Sequence, residues 1–249
     1  THWWQIISKL KIPYFFTPGN HDVTNDETLA VFKETAGCDG IVDGQPVQRE
    51  AHLHGLRDAF VICHNDASLV FINSCLICGN PPESFAKRAE EQWVWLDKVL
   101  PCVNRKCRSM VMHHPPFLEF EAETPEQMGA PGATYYHWPV EERKRLLALA
   151  RKHNITEMLC GHTHSSLDAY STLADVHVST TNGTALIMSH NFPKRVWSTP
   201  SGQCPVGEPS YRFVAPNGTR LEHEVVRLSG GVEAAKQALQ RLEDKLHGQ

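Results

Sequence analysis

Met158-Leu159-Cys160-Gly161-His162-Thr163-His164 is an apolar run that stops at a glycine and continues as two histidines two residues apart. The run reads as a buried strand, and Gly161 as the tight turn that ends it. The same order occurs twice upstream. Tyr14-Phe15-Phe16 leads into Gly19-Asn20-His21-Asp22, and Met110-Val111-Met112 leads into His113-His114-Pro115-Pro116. Helical patterns lie between these runs. Asp26 can cap a helix to about Thr35, closed by Gly37. Residues 84–100 place Trp93, Leu96 and Leu100 at helical spacing, and Pro139 opens a helix over 140–153 with Leu146, Leu147, Leu149 and Ala150 inward. Strand alternating with helix predicts an α/β sheet in which the three runs are neighbours. Their C-terminal ends would then share the edge where open α/β sheets bind ligands.

The rest of the chain fits one domain over 1–249. Residues 1–10 carry Trp3, Ile6, Ile7 and Leu10 on one helical face, and 59–64 and 69–74 read as a hairpin about Asn65-Asp66. A loop of some twenty residues follows Pro116, acidic and then rich in Gly and Pro, a length that is often functional. Residues 165–228 read as short strands and turns. Over 231–247 an amphipathic terminal helix spaces Val232, Ala235, Leu239, Leu242 and Leu246 by threes and fours. That spacing fits docking on the chain's own domain or, with only two heptads, a coiled-coil seam.

With 249 residues, 41% hydrophobic content and a net charge of −4 from 24 Lys+Arg against 28 Asp+Glu, the composition is that of a folded globular chain. No apolar run approaches the roughly 20 residues of a membrane span. The mild acidity, without a block of Lys or Arg, argues against nucleic acid as a partner. Cys63, Cys75 and Cys160 sit in apolar runs as small hydrophobes, and Cys75-Leu-Ile-Cys78 has no second pair to complete a zinc site. These features favour the cytoplasm, although N-x-T sequons at Asn154, Asn182 and Asn217 leave a secreted origin open. Asn154 falls at a helix-to-strand joint, a poor place for a glycan.

Histidine is plentiful, 15 in all, and three His-bearing turns converging on one edge suit a metal. Imidazole serves Zn, Fe or Mn, and an Asn carbonyl adds a harder oxygen donor. The i, i+2 pair His162 and His164 would face the same way on a strand and chelate together.

In order and spacing the three motifs resemble the later part of the calcineurin-like metallophosphoesterase signature, D-x-H, G-D-x-x-D, G-N-H-[DE], H, G-H-x-H. The resemblance runs from about Tyr14 to Leu228. Trp93 and Leu96, the acidic loop after His-x-Pro, and Tyr135-Tyr136 are similar to the calcineurin-like phosphoesterase domain-containing protein phosphatases of the cytosol. It implies a sandwich of two mixed β-sheets flanked by helices. It also implies hydrolysis of phosphate monoesters, phosphoserine or phosphothreonine proteins among them, by two divalent or trivalent metal ions that activate a water. Asn20, His113 and His162 would bind one ion and His164 the other. His21 would stand beside the scissile phosphate and serve the leaving oxygen, Asp22 would brace its turn, and His114 would pack.

The upstream D-x-H and G-D-x-x-D are not in this chain, and Asp175-Val-His177 stands in the wrong order to replace them. The chain therefore reads as N-terminally incomplete, lacking its first strands and part of one metal site. A natively short, catalytically dead binding module of the same fold is the alternative of another class. Within enzymes the alternative is a phosphodiesterase on cyclic nucleotides or small diesters, set apart only by the loop over 115–137.

Overall fold

The structure is a computed structural model; it describes residues 14–35, 41–42, 45–46, 56–124, 135–164, 166–181 and 209–248. The helix read over 1–10, Gly37 and the Asn182 sequon lie outside the described residues. In chain order the elements are α1 (Asp26–Thr35), the paired β1 (Ile41–Val42) and β2 (Gln45–Pro46), β3 (Phe60–His64), β4 (Ala67–Phe71), α2 (Phe85–Val99), β5 (Cys107–Val111), α3 (Val140–Lys152), β6 (Glu157–Cys160), β7 (Asp168–Ser171), β8 (Val176–Thr180), β9 (Ser210–Asn217), β10 (Arg220–Arg227) and α4 (Gly231–His247).

Six strands form one mixed sheet in the order β3-β4-β5-β6-β8-β7. The four central strands are parallel, and β3 and β7 run antiparallel at the edges. A row of cross-strand partners, Val70, Met110, Met158 and Val178, crosses the parallel strands and is no more than 1% exposed. Central parallel strands are covered on both faces, which is why β4, β5 and β6 read as short apolar runs. The second sheet is the antiparallel hairpin β9–β10. Together they give the mixed α/β class that the resemblance implies, the second sheet being two-stranded among the described residues.

The helices bury one stripe each. On α2, Phe85, Trp93, Leu96 and Val99 face inward. Helix α3 begins after Pro139, carries Glu141 and Glu142 in its first turn and Arg151 and Lys152 in its last, and so complements its own dipole. Trp93 of α2 and Trp138, just before α3, meet edge to face at 5.9 Å, and the Arg145 guanidinium covers the Trp93 ring at 4.4 Å. On α1 the cap is Asn25 rather than Asp26: the Asn25 Oδ1 accepts the Thr28 N–H while Thr28 Oγ1 accepts the Asn25 N–H.

Helix α4 docks on its own domain, against β10, through Ala238 and Leu242. Arg241 and Lys245 pair with Glu224, and Lys245 also donates to the His223 carbonyl. The hairpin in turn is tied to the main sheet by Arg212, which pairs with Asp168 and donates to the Thr180 carbonyl, and by His223 beside Glu157. Asn154 occupies the joint between α3 and β6 with φ 53°. Among the described residues no helix is long and apolar enough to cross a membrane.

Candidate metal centre

Strands β5 and β6 are adjacent and parallel, with Met110 opposite Met158 and Val111 opposite Leu159. The ladder continues past both strand ends: Met112 N–H donates to the Leu159 carbonyl and Gly161 N–H to the His113 carbonyl. His113 and His162 are thus delivered side by side at the same edge of the sheet. The third turn arrives differently. Tyr14–Phe16 was expected as a strand but forms only an isolated bridge at Tyr14. Prolines at 13 and 18 flank it and supply no N–H to a ladder. Instead the segment is pinned beside the end of β4, where Thr17 Oγ1 donates to the Ile72 carbonyl and Cys75 Sγ donates to the Pro18 carbonyl. Phe15 packs against the stacked pair Phe60 and Phe71.

These anchors bring three side-chain tips together. Asn20 Oδ1 lies 2.8 Å from His113 Nε2, and His113 Nε2 lies 3.0 Å from His162 Nδ1. Two ligand atoms held at right angles around one ion, each roughly 2.0–2.2 Å from it, sit about 3 Å apart, so the spacing fits a shared cation. The chemistry of the donors fits as well. Burial, reinforced by the neighbouring His162, His164 and His21, pushes His113 down to about 3. Burial also dominates at His162, with a value of about 4 despite the opposing hydrogen bond to the Tyr135 carbonyl. Both rings are therefore neutral near pH 7, the state in which imidazole binds metal.

Gly19 makes this approach possible, whereas at Gly161 a side-chain carbon would meet only an ordinary contact. A Cβ on Gly19 would lie 3.0 Å from His113 Cε1, and one on Gly161 would lie 3.7 Å from His113 Nδ1. His113 is held between the two turns. Asp22 Oδ2 accepts the Gly19 N–H and closes its turn, the bracing expected of it. His162 and His164 hold left-handed backbone, with φ of 66° and 52°. Such conformations are uncommon for residues other than glycine and gather at functional sites.

His164 is half-buried, and its Nδ1 is buried without a hydrogen-bond partner among the described residues. His21 is exposed. His114, expected to pack, is fully buried and yet belongs to the cluster: ligand-capable atoms of His113, His114 and His162 all lie within 4.8 Å of one another. Ser74 Oγ accepts the His114 main-chain N–H and sits 3.0 Å from its Nδ1, and the buried Nε2 has no hydrogen-bond partner among the described residues. Cys75 and Cys78 are buried free thiols raised well above their ordinary range, chiefly by burial. Tyr135, which the resemblance singled out without giving it a role, also touches the site: its hydroxyl accepts from Asn20 Nδ2 at 2.9 Å and its carbonyl accepts from His162 Nε2 at 2.8 Å.

The sequence model of the calcineurin-like phosphoesterases matches residues 2–166, a span that includes all three His-bearing turns. The chain belongs to the calcineurin-like phosphoesterase family. Among solved structures it is similar to "GAP50 the anchor in the inner membrane complex of Plasmodium", with a TM-score of 0.53 and 12% identity over 90% of this chain. At that identity the likeness concerns the fold alone. The calcineurin-like phosphoesterase chain described here spans 64% of that protein's length. Comparison with curated proteins gives no match.

Proposed function

We propose that this calcineurin-like phosphoesterase hydrolyses phosphate monoesters, on phosphoproteins or small molecules, with metal ions held at the edge of its sheet. The observation that carries the reading is the meeting of Asn20 Oδ1, His113 Nε2 and His162 Nδ1 at 2.8 and 3.0 Å from residues far apart in the chain. Those atoms would hold one ion and His164 would serve a second; Mn, Fe and Zn all suit the donors. Bound there, such ions polarise phosphoryl oxygens and lower the pKa of a water. His21, exposed beside the cluster, would donate a proton to the departing oxygen, a role typically worth about 10²–10⁴-fold.

The separation of roles is testable. His21→Ala is expected to keep its metal content and lose turnover by about 10²-fold or more, whereas Asn20→Ala and His113→Ala lose metal as well. Equal metal loss in all three variants refutes the assignment. Turnover of p-nitrophenyl phosphate, its bis ester and a phosphopeptide, measured side by side, separates a monoesterase from a diesterase. A second reading, a non-catalytic module of the same fold, is favoured by one feature: the ligand cluster found among the described residues is all imidazole, with no carboxylate. Metal uptake without turnover of any of the three esters would select it.

A further inference from the structure

We propose that Tyr135 is a positioning residue that anchors the Asn20 amide and sets which nitrogen of His162 faces the ion; the inference rests on the metal-centre reading above. The Tyr135 hydroxyl accepts from Asn20 Nδ2 at 2.9 Å and anchors the amide in place, with Oδ1 pointing at His113. His162 can carry its proton on either nitrogen. A main-chain carbonyl only accepts, so the Tyr135 oxygen 2.8 Å away fixes the proton on Nε2 and leaves the Nδ1 lone pair free. One residue thus governs two ligands that come from different turns.

Tyr135 has the footing such a role needs. His137 and Trp138, two and three residues after it, are wholly buried. The Trp138 indole N–H donates to the His114 carbonyl at 3.0 Å. Arg143, itself fully buried, donates to the carbonyls of Glu121, Glu123 and Trp138 and meets His137 Nδ1 at 3.0 Å. The Glu123 carboxylate accepts the N–H groups of Leu118, Glu119 and Phe120. Tyr135 is therefore mounted on a buried polar base that joins α3 to the His114 turn. Partners of this outer kind orient ligands, and their loss typically weakens metal binding by about 10–100-fold.

The test uses the 249-residue chain, zinc as the probe and a competing chelator dye. Tyr135→Phe removes the hydroxyl and keeps the carbonyl. Zinc affinity is expected to fall by about 10–100-fold, with an unchanged urea midpoint. In ¹⁵N-resolved imidazole spectra of the metal-free protein, His162 should carry its proton on Nε2 in both the unaltered chain and the variant. Equal zinc affinity in the two proteins overturns this inference and leaves the metal centre standing. Failure of the unaltered chain to bind zinc overturns both. Should Tyr135→Phe not fold, the tautomer decides: a proton on His162 Nδ1 in the unaltered chain refutes the proposal.

Discussion

Gly19→Ala tests the geometry of the centre with a single methyl group. Gly19 does not hold left-handed backbone, so alanine meets no conformational barrier there. What it meets is the His113 ring, with Cε1 at 3.0 Å and Nδ1 at 3.2 Å from the new carbon, and Asp22 Oδ2 at 3.2 Å. Carbon atoms prefer separations of roughly 3.5–4.0 Å, so ring and turn must part by about half an ångström. The ring cannot simply retreat, because Gly161 closes its other side. Overpacking of this kind costs about 1–3 kcal/mol, and the reduced freedom of the unfolded chain gives back about 0.4–1 kcal/mol. A net loss of about 1–2 kcal/mol is expected in urea unfolding. The effect on metal should be larger, since ligand distances tolerate shifts of only about 0.2 Å. Zinc affinity is expected to drop by at least about tenfold. Gly161→Ala is the control, for its Cβ would stand at 3.7 Å from His113 Nδ1, an ordinary contact. It should leave zinc affinity in place and stability unchanged or raised by about 0.4–1 kcal/mol. If the two alanines behave alike in both assays, His113 is not confined as described.

Two further outcomes concern stability. Arg143→Met removes a fully buried guanidinium from the carbonyls of Glu121, Glu123 and Trp138 and leaves buried acceptors without their donor, a loss of about 1–3 kcal/mol or more in urea unfolding; a loss under 1 kcal/mol would show that the loop needs no such base. At Glu224, burial raises the carboxyl, but Lys245 and Arg241 outweigh it and hold it below its ordinary 4.5. A depressed acid stabilises the fold above its unfolded pKa and loses that contribution as pH falls through the folded value. Glu224→Gln should therefore be less stable than the parent at pH 7, with the gap narrowing as pH drops below about 4.5. A gap that stays constant from pH 7 to pH 3 would remove Glu224 from the acid side of the stability profile.

Strand followed by a His-bearing turn was legible at 107–114 and 157–164 because parallel strands buried on both faces must be apolar and must end in tight turns. It misled at Tyr14–Phe16, where the same apolar text packs on Phe60 and Phe71 without joining the ladder. The insertion of β8 between β6 and β7 was not legible, since strand order depends on partners that no local pattern displays. Nothing in the charged run Glu141, Glu142, Arg143, Lys144 and Arg145 marks Arg143 apart; its fully buried position follows from carbonyls some twenty residues away that need donors. The role of Tyr135 at the site, as distinct from its part in the resemblance, was hidden for a sharper reason. Half of its contact with the site is a main-chain oxygen, which every residue type possesses. The finding that Asn20, His113 and His162 converge was the part most open to reading, because glycine, asparagine and histidine at strand ends have few other uses in common.

The left-handed backbone at His162 and His164 has an engineering consequence. An L-residue in that conformation is less comfortable than glycine by about 1–2 kcal/mol, so the turn keeps two side chains where none would sit more easily. Replacing either histidine with glycine should therefore yield a sturdier but chemically blank edge. A screen for heat resistance alone would drift toward such sequences, and only a selection that also demands ion capture would retain the pair.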